Sequence, residues 1–184
     1  MKTIRFETVS RYNKVNCPVT ASIPFSEGKL REDDIKEYFI TDNSNTYPYQ
    51  YKVTSSYSDG SVRFLLLRFL AQFDANQPKA FSFGKEEKEN HASFTPIEIK
   101  RKTDGSLEIK SSRLSLSLGA PGETLIKEFS DQDKAIASTE GPFISNGIEE
   151  FEAFTGIDGW RCEEEGPLYS VLSTSGKHIA KDKT

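Results

Sequence analysis

The strongest constraint on the fold is a turn signal that leads straight into the most apolar run of the chain. Asp59-Gly60-Ser61 is followed by Val62-Arg-Phe-Leu-Leu-Leu-Arg-Phe-Leu-Ala-Gln-Phe73. Glycine takes a positive φ at little steric cost, so Asp-Gly marks a reversal of the chain. Read as a strand, the run sets Leu65, Leu67, Phe69, Ala71 and Phe73 on one face. Val62, Phe64, Leu66 and Leu70 fall on the other, and Arg63 and Arg68 are the exceptions. Two apolar faces predict a strand covered on both sides. A helix of the same sequence would be apolar nearly all round, which suits only a fully buried helix. The Asp-Gly entry and the aromatics favour the strand. Residues 62–73 are therefore expected to form the central strand, with the rest of the chain packed around it.

The flanking segments share this character. Residues 3–9 alternate, with Ile4, Phe6 and Thr8 on one side, which predicts a first strand with one apolar face. Residues 15–23 read as a second strand, broken by Pro18. Leu30-Arg-Glu-Asp-Asp-Ile-Lys-Glu places its acids early, as at a helix start, and predicts one short helical turn. Strand character returns over 37–41. Asp42-Asn-Ser-Asn45 is a polar turn, and residues 47–54 form another strand. Further on, 79–83, 94–102, 106–110, 113–118, 124–129 and 168–173 read as strands, the last of these closing the series. Thr103-Asp104-Gly105 joins a hairpin, and 85–90 is a solvated charged loop. Residues 130–159 carry Gly141-Pro142, Asn146-Gly147 and Asp158-Gly159, and read as loop-rich with short strands. Residues 178–184, with no apolar anchor, read as a frayed or truncated end. Spaced strands without a long amphipathic helix predict an all-β barrel or sandwich. Asp-Gly-Ser recurs at Asp59 and Asp104, and Glu-Gly-Pro at Glu140 and Glu165, without a fixed period.

Composition excludes several classes of function. A formal charge of -4 argues against a nucleic-acid partner held through phosphates, which needs concentrated Lys and Arg. No run reaches the roughly 18–20 apolar residues of a membrane-spanning helix. The first residues have no hydrophobic core of a signal peptide, so the chain reads as intracellular, or as exported with its leader removed. Cys17 and Cys162 define no disulfide framework and read as two separate, partly buried thiols.

Three motifs in order carry a family resemblance. Pro18-Val-Thr-Ala-Ser-Ile-Pro-Phe-Ser-Glu-Gly-Lys-Leu30 is similar to an opening strand with a Pro-Phe-x-x-Gly loop. Tyr47-Pro-Tyr-Gln50 resembles a Val-Pro-x-Gln strand. Tyr57-Ser-Asp-Gly-Ser-Val-Arg-Phe64 resembles a Trp-Pro-Asp-Gly-Ser-Val-Lys-Trp turn and strand. Together they resemble the N-terminal domain of the YetA-like, exo-acting rhamnogalacturonan lyase family. Near the other end, Glu164-Glu-Gly-Pro-Leu-Tyr-Ser-Val-Leu-Ser-Thr-Ser-Gly176 resembles the strand that opens that family's next β-rich region. The resemblance implies a RIFT-type β-barrel over residues 1–130. Residues 131–184 would then be a loop-rich lead into a truncated, sandwich-like β-domain. Tyr57, Phe64 and Arg63 stand where the family shows Trp, Trp and Lys, which keeps an aromatic and a cation but not an indole N–H. The family's catalytic machinery lies in a later helical toroid, so no catalytic residue transfers to this chain. The resemblance thus implies a non-catalytic domain whose partner is the downstream catalytic domain, with a pectin-type glycan as a further possible partner.

Among the residues themselves, no catalytic set, metal site or cofactor motif stands out. His91 and His178 lie in polar stretches and read as surface histidines, because a zinc site needs several converging ligands. Gly-x-Gly-x-x-Gly and the P-loop pattern are absent. Glu149-Glu150, Glu152 and Glu163-Glu-Glu165 read as a solvated acidic face, since they lack the ligand spacing of a calcium loop. Tyr47, Tyr49 and Tyr51 would project from one strand face about 7 Å apart. That suits stacking on sugar rings, and Trp160 is a fourth candidate; the plainer reading places these rings in the core. The competing functions are an autonomous carbohydrate-binding module using Tyr47, Tyr49, Tyr51 or Trp160, and a small enzyme built on the acidic cluster.

Overall fold

The computed structural model describes residues 4–132, 134–138 and 143–180, and within them the chain is all-β with one short 3-10 helix. Glu140, Gly141-Pro142 and the last four residues, on which readings were placed above, lie outside that set. Contacts divide the chain into two compact units, Met1–Phe94 and Thr95–Thr184. The boundary expected from sequence, after residue 130, falls on a strand of the second unit, Ile126–Asp131.

The first unit holds β1 (Ile4–Val9), β2 (Lys14–Pro24), β3 (Phe39–Thr41), β4 (Asn45–Tyr47), β5 (Tyr49–Ser56), β6 (Val62–Phe73), β7 (Pro78–Gly84) and β8 (Asn90–His91). The 3-10 helix, Glu32–Glu37, sits where the early acids predicted a helical turn and buries Ile35. The strands pair into a three-stranded sheet, β2-β6-β5, and a five-stranded sheet, β1-β7-β3-β4-β8. No closed barrel is found among the described residues.

β6 is the middle strand of its sheet, antiparallel to both neighbours. Its odd face, Leu65, Leu67, Phe69, Ala71 and Phe73, is buried with Ile40, Tyr47, Phe81 and Phe83 of the other sheet. Its even face is not covered as expected: Phe64 is 38% exposed, and Leu66, Arg68 and Leu70 are half-buried. A sheet needs only one packed face to be stable, and the flanking residues Thr20, Ser22 and Lys52 are exposed polar ones. Pro18 does not interrupt β2. The strand lies at a sheet edge, where a missing N–H costs no ladder bond. Its irregularity comes earlier, between Lys14 and Cys17, with Asn16 at φ 52°. The strand expected over 47–54 is two strands in different sheets, parted at Pro48.

The second unit holds β9 (Glu98–Arg101), β10 (Leu107–Lys110), β11 (Leu114–Leu118), β12 (Ile126–Asp131), β13 (Lys134–Ser138), β14 (Phe143–Ser145), β15 (Glu150–Phe154), β16 (Arg161–Glu164), β17 (Val171–Ser173) and β18 (Lys177–Ala180). They form an antiparallel sheet β13-β12-β11-β10-β9, a sheet β14-β15-β18 and the pair β16-β17. The stretch 130–159, read as loop-rich with short strands, holds β13, β14 and β15, of five, three and five residues. One reading needs correction here. The strand at 171–173 is not the last, because Lys177–Ala180 pairs with β15 and buries Ala180. Cys17 and Cys162 are both free, and Cys162 is exposed rather than partly buried.

The two Asp-Gly-Ser segments fold into the same turn, one in each unit. The Ser61 N–H and Oγ–H both donate to Asp59 Oδ1, at 2.8 and 2.5 Å. The Ser106 N–H and Oγ–H donate to Asp104 Oδ1, at 2.9 and 2.7 Å. Gly60 and Gly105 stand at φ 78° and 86°. Each turn delivers a fully buried residue, Val62 and Leu107, to the head of its strand. Gly60→Val should therefore destabilise the protein well beyond Ser58→Val, because a β-branched residue is strained at positive φ. Urea midpoints measure both, and equal shifts would mean that positive φ is not what the turn requires.

Candidate functional site

Two of the motifs that carry the family resemblance, residues 18–30 and 57–64, meet in the first unit. The Tyr57 hydroxyl donates to Phe25 O (2.9 Å), and the Gly28 N–H donates to Ser61 Oγ (2.9 Å). The backbone of Phe25 bonds to Arg63 O and that of Val62 to Leu30 O. Arg31 Nη1 reaches Asp59 O at 3.0 Å. The Pro24-Phe25 loop and the Asp59-Gly60 turn thus form one interlocked corner. These bonds run within the corner and fix its backbone geometry.

A second polar centre joins β4 and β7 to the turn between β3 and β4. The Tyr47 hydroxyl donates to Asp42 Oδ2 at 2.5 Å. Lys79 Nζ lies 3.0 Å from the same oxygen and 3.1 Å from the Tyr47 hydroxyl. Asp42 Oδ1 accepts from the amides of Ser44 and Asn45, as an Asx turn does. Burial alone would raise the Asp42 carboxyl, but the bonds from Tyr47, Ser44, Asn45 and Lys79 outweigh it and hold the group at about 2. Burial pushes the Tyr47 phenol up, and its bond to Asp42 adds to the rise. Burial pulls Lys79 down, but its bonds to Tyr47 and Asp42 prevail and raise it. All three groups therefore hold their ordinary charge states near neutrality, which makes the cluster an anchor and not a proton relay.

A depressed carboxyl stabilises the fold above its unfolded value and loses that contribution as pH falls through the folded one. The window here runs from the ordinary 3.8 down to about 2. Asp42→Asn should lower stability at pH 7 and flatten the acid limb of the stability curve between those values. An unchanged acid limb in the variant, followed by urea unfolding across that range, would remove Asp42 from this role.

Beside this cluster runs a groove of about 380 Å³. Phe39, Pro48, Tyr49 and Phe94 supply its half-buried apolar lining, with Glu87 and His91 on the rim. The Tyr49 hydroxyl donates to Ile35 O and Tyr38 O (2.8 and 2.9 Å), which locks its ring. Burial pushes that phenol up, with the nearby Tyr51 adding to the shift. His91 Nε2 stands 3.5 Å from Glu87 Oε1.

The four residues singled out as sugar-stacking candidates are not gathered. Tyr47 is buried, its ring 5.9 Å from Phe69 and 5.7 Å from Phe81. Tyr49 lines the groove, and Tyr51, 39% exposed, lies 6.4 Å from it between ring centroids. Trp160 belongs to the core of the second unit with Leu107 and Leu118, and its N–H donates to Gly119 O at 2.8 Å. Sequence reasoning missed the Asp42–Tyr47–Lys79 cluster, because its three members come from a turn and two strands 37 positions apart at the ends. It also missed Phe39 and Phe94, which nothing in their local pattern distinguished from core aromatics.

His91 and His178 are exposed, and no group of three or more potential metal ligands occurs among the described residues. Nor is any described helix long and apolar enough to cross a membrane. No protein-family model matches this chain, and no curated protein resembles it closely enough to count as a match.

Proposed function

We propose that this chain is a non-catalytic, β-rich domain of a polysaccharide-lyase-like protein of the YetA type. Its first unit would be built on RIFT-type barrel topology and would serve as structural support for a catalytic toroid. The observation that supports this reading is the interlocked corner. Two of the segments behind the resemblance, residues 18–30 and 57–64, bond to one another, as a corner valued for its shape requires. The third, residues 47–50, places Tyr47, Pro48 and Tyr49 along the groove. β-Elimination from a uronic acid needs a base for the proton beside the carboxyl group and a cation for the charge that develops. In the Asp42–Tyr47–Lys79 cluster the ammonium is taken up by Asp42, Tyr47 and Gln72 O, and the carboxylate by Tyr47, Lys79 and the Ser44 and Asn45 amides, so both groups are already engaged within the fold.

The test is an assay of the pure chain for unsaturated product from rhamnogalacturonan oligosaccharides, at neutral and alkaline pH, with and without Ca²⁺. No turnover is expected. Turnover abolished by one substitution within the chain would overturn the proposal. The second reading, an autonomous carbohydrate-binding module, is favoured by the groove beside Tyr49. Saturable binding on a glycan array, lost in Phe39→Ala and Phe94→Ala, would put that reading first.

A further inference from the structure

The turn between β14 and β15 contains Asn146-Gly147, the one place among the chain's seven asparagines where glycine follows. Asn146 Oδ1 accepts from the amides of Ile148 (2.9 Å) and Glu149 (2.8 Å). The Gly147 N–H donates to Ser145 Oγ at 3.1 Å. Gly147 stands at φ 87°, and no atom lies within 4 Å of where its Cβ would be. Ile148 is 92% exposed, so water reaches the turn freely.

We propose that Asn146 is a self-modifying site, where the turn itself promotes deamidation to aspartyl and isoaspartyl products. The Gly147 nitrogen attacks Asn146 Cγ, forming a new C–N bond as the Cγ–Nδ2 bond breaks. The proton of the Gly147 amide ends on the leaving nitrogen, which departs as ammonia. One water then opens the cyclic imide at either carbonyl, so no oxidant, reductant or further reactant is needed. The attack places negative charge on Oδ1, where the Ile148 and Glu149 amides already point. Two preset donors on a developing oxyanion lower such a barrier. Ser145 Oγ sits where the departing proton can be passed to water. The missing side chain at Gly147 leaves the nucleophile unshielded.

The other turns lack this combination. Asp59, Asp104 and Asp158 also precede glycines, but they carry a carboxyl in place of the amide, so closing the ring there must expel water from the protonated acid and releases no ammonia. The Asp59 and Asp104 carboxyls are held below the usual range by the Ser61 and Ser106 hydroxyls, which works against that protonation. Asn13, Asn16, Asn43, Asn45, Asn76 and Asn90 precede residues whose side chains crowd the attacking nitrogen. Conversion at Asn146 adds a carboxylate beside Glu149 and Glu150. The isoaspartyl form also lengthens the turn backbone, which the Asn146 N–H to Glu149 O bond (3.3 Å) closes. The product is a substrate for the class of enzyme that methylates isoaspartyl carboxylates.

The experiment is incubation of the folded chain at body temperature, at neutral and mildly alkaline pH, followed by peptide mapping. A parallel sample is held in urea. The Asn146 peptide should gain one mass unit before any other asparagine peptide, with aspartyl and isoaspartyl forms both present. Its rate should rise about tenfold per pH unit, because the amide must lose its proton to attack. Gly147→Ala should slow it by more than about tenfold. Ser145→Ala, which leaves the φ of residue 147 alone, should slow it several-fold. A folded chain that stays unmodified, whether or not the urea sample converts, would overturn the proposal. So would a Ser145→Ala rate equal to that of the parent chain.

Discussion

Replacing Phe81 with alanine is expected to destabilise the first unit by about 3–5 kcal/mol, the cost of emptying a large aromatic site in a closed core. Phe81 is fully buried on β7. Its ring meets Phe69 edge-on at 4.9 Å, stacks on Phe6 at 5.6 Å and meets Tyr47 at 5.7 Å. Phe73 lies 6.2 Å away. Losing the ring removes four aromatic contacts at once and frees Tyr47, whose hydroxyl holds Asp42. The Asp42–Tyr47–Lys79 cluster should loosen with it. Urea unfolding measures the loss, with Phe64→Ala as the reference. Phe64 lies on the even face of β6 and is 38% exposed, so its replacement should cost about 1 kcal/mol or less. Equal losses at the two sites would show that β6 is packed on the wrong face.

Gly176→Ala should be at least as damaging to the second unit, for a purely steric reason. A Cβ on Gly176 would stand 1.9 Å from Phe154 O, and one on Gly156 would stand 1.5 Å from Ser175 O. Both neighbours are backbone carbonyls, so no side chain can swing aside. The two backbone segments must part, and the Phe154–Lys177 end of the β15–β18 pairing adjoins them. A cost above about 4 kcal/mol is expected, in the tail reserved for such mechanisms. Gly122→Ala separates this effect from backbone strain. Gly122 has φ 81° and nothing within 4 Å of its Cβ position, so alanine there should cost only about 1 kcal/mol. Hydrogen exchange at the β15 and β18 amides reads both variants. Unchanged protection in Gly176→Ala would mean that the two segments do not meet closely in solution.

Much of this architecture was legible locally. The Asp-Gly-Ser turns depend on contacts between residues two apart, so Asp59 and Asp104 specify them without help from the rest of the chain. The odd face of β6 follows from alternation alone, and so does β1. The short helical turn at Glu32–Glu37 followed from its acidic start. The all-β class follows from many such local signals pointing the same way. Tertiary structure decided what local pattern leaves open. Alternation assigns Leu66 and Leu67 to opposite faces, but only the position of the five-stranded sheet makes one the core and leaves the other half-buried. Pro18 reads as a break until its strand is known to lie at an edge. Tyr47 and Tyr49 read as one face of one strand until Pro48 sends them into different sheets. Trp160 carries the same side chain whether it stacks on a ligand or fills a core, and its bond to Gly119 O, from 41 residues away, assigns it to the core. Asp42 becomes an anchor rather than a simple turn residue because β7 brings Lys79 to it. A residue's chemistry is local, but its partners are set by pairings across the sheets.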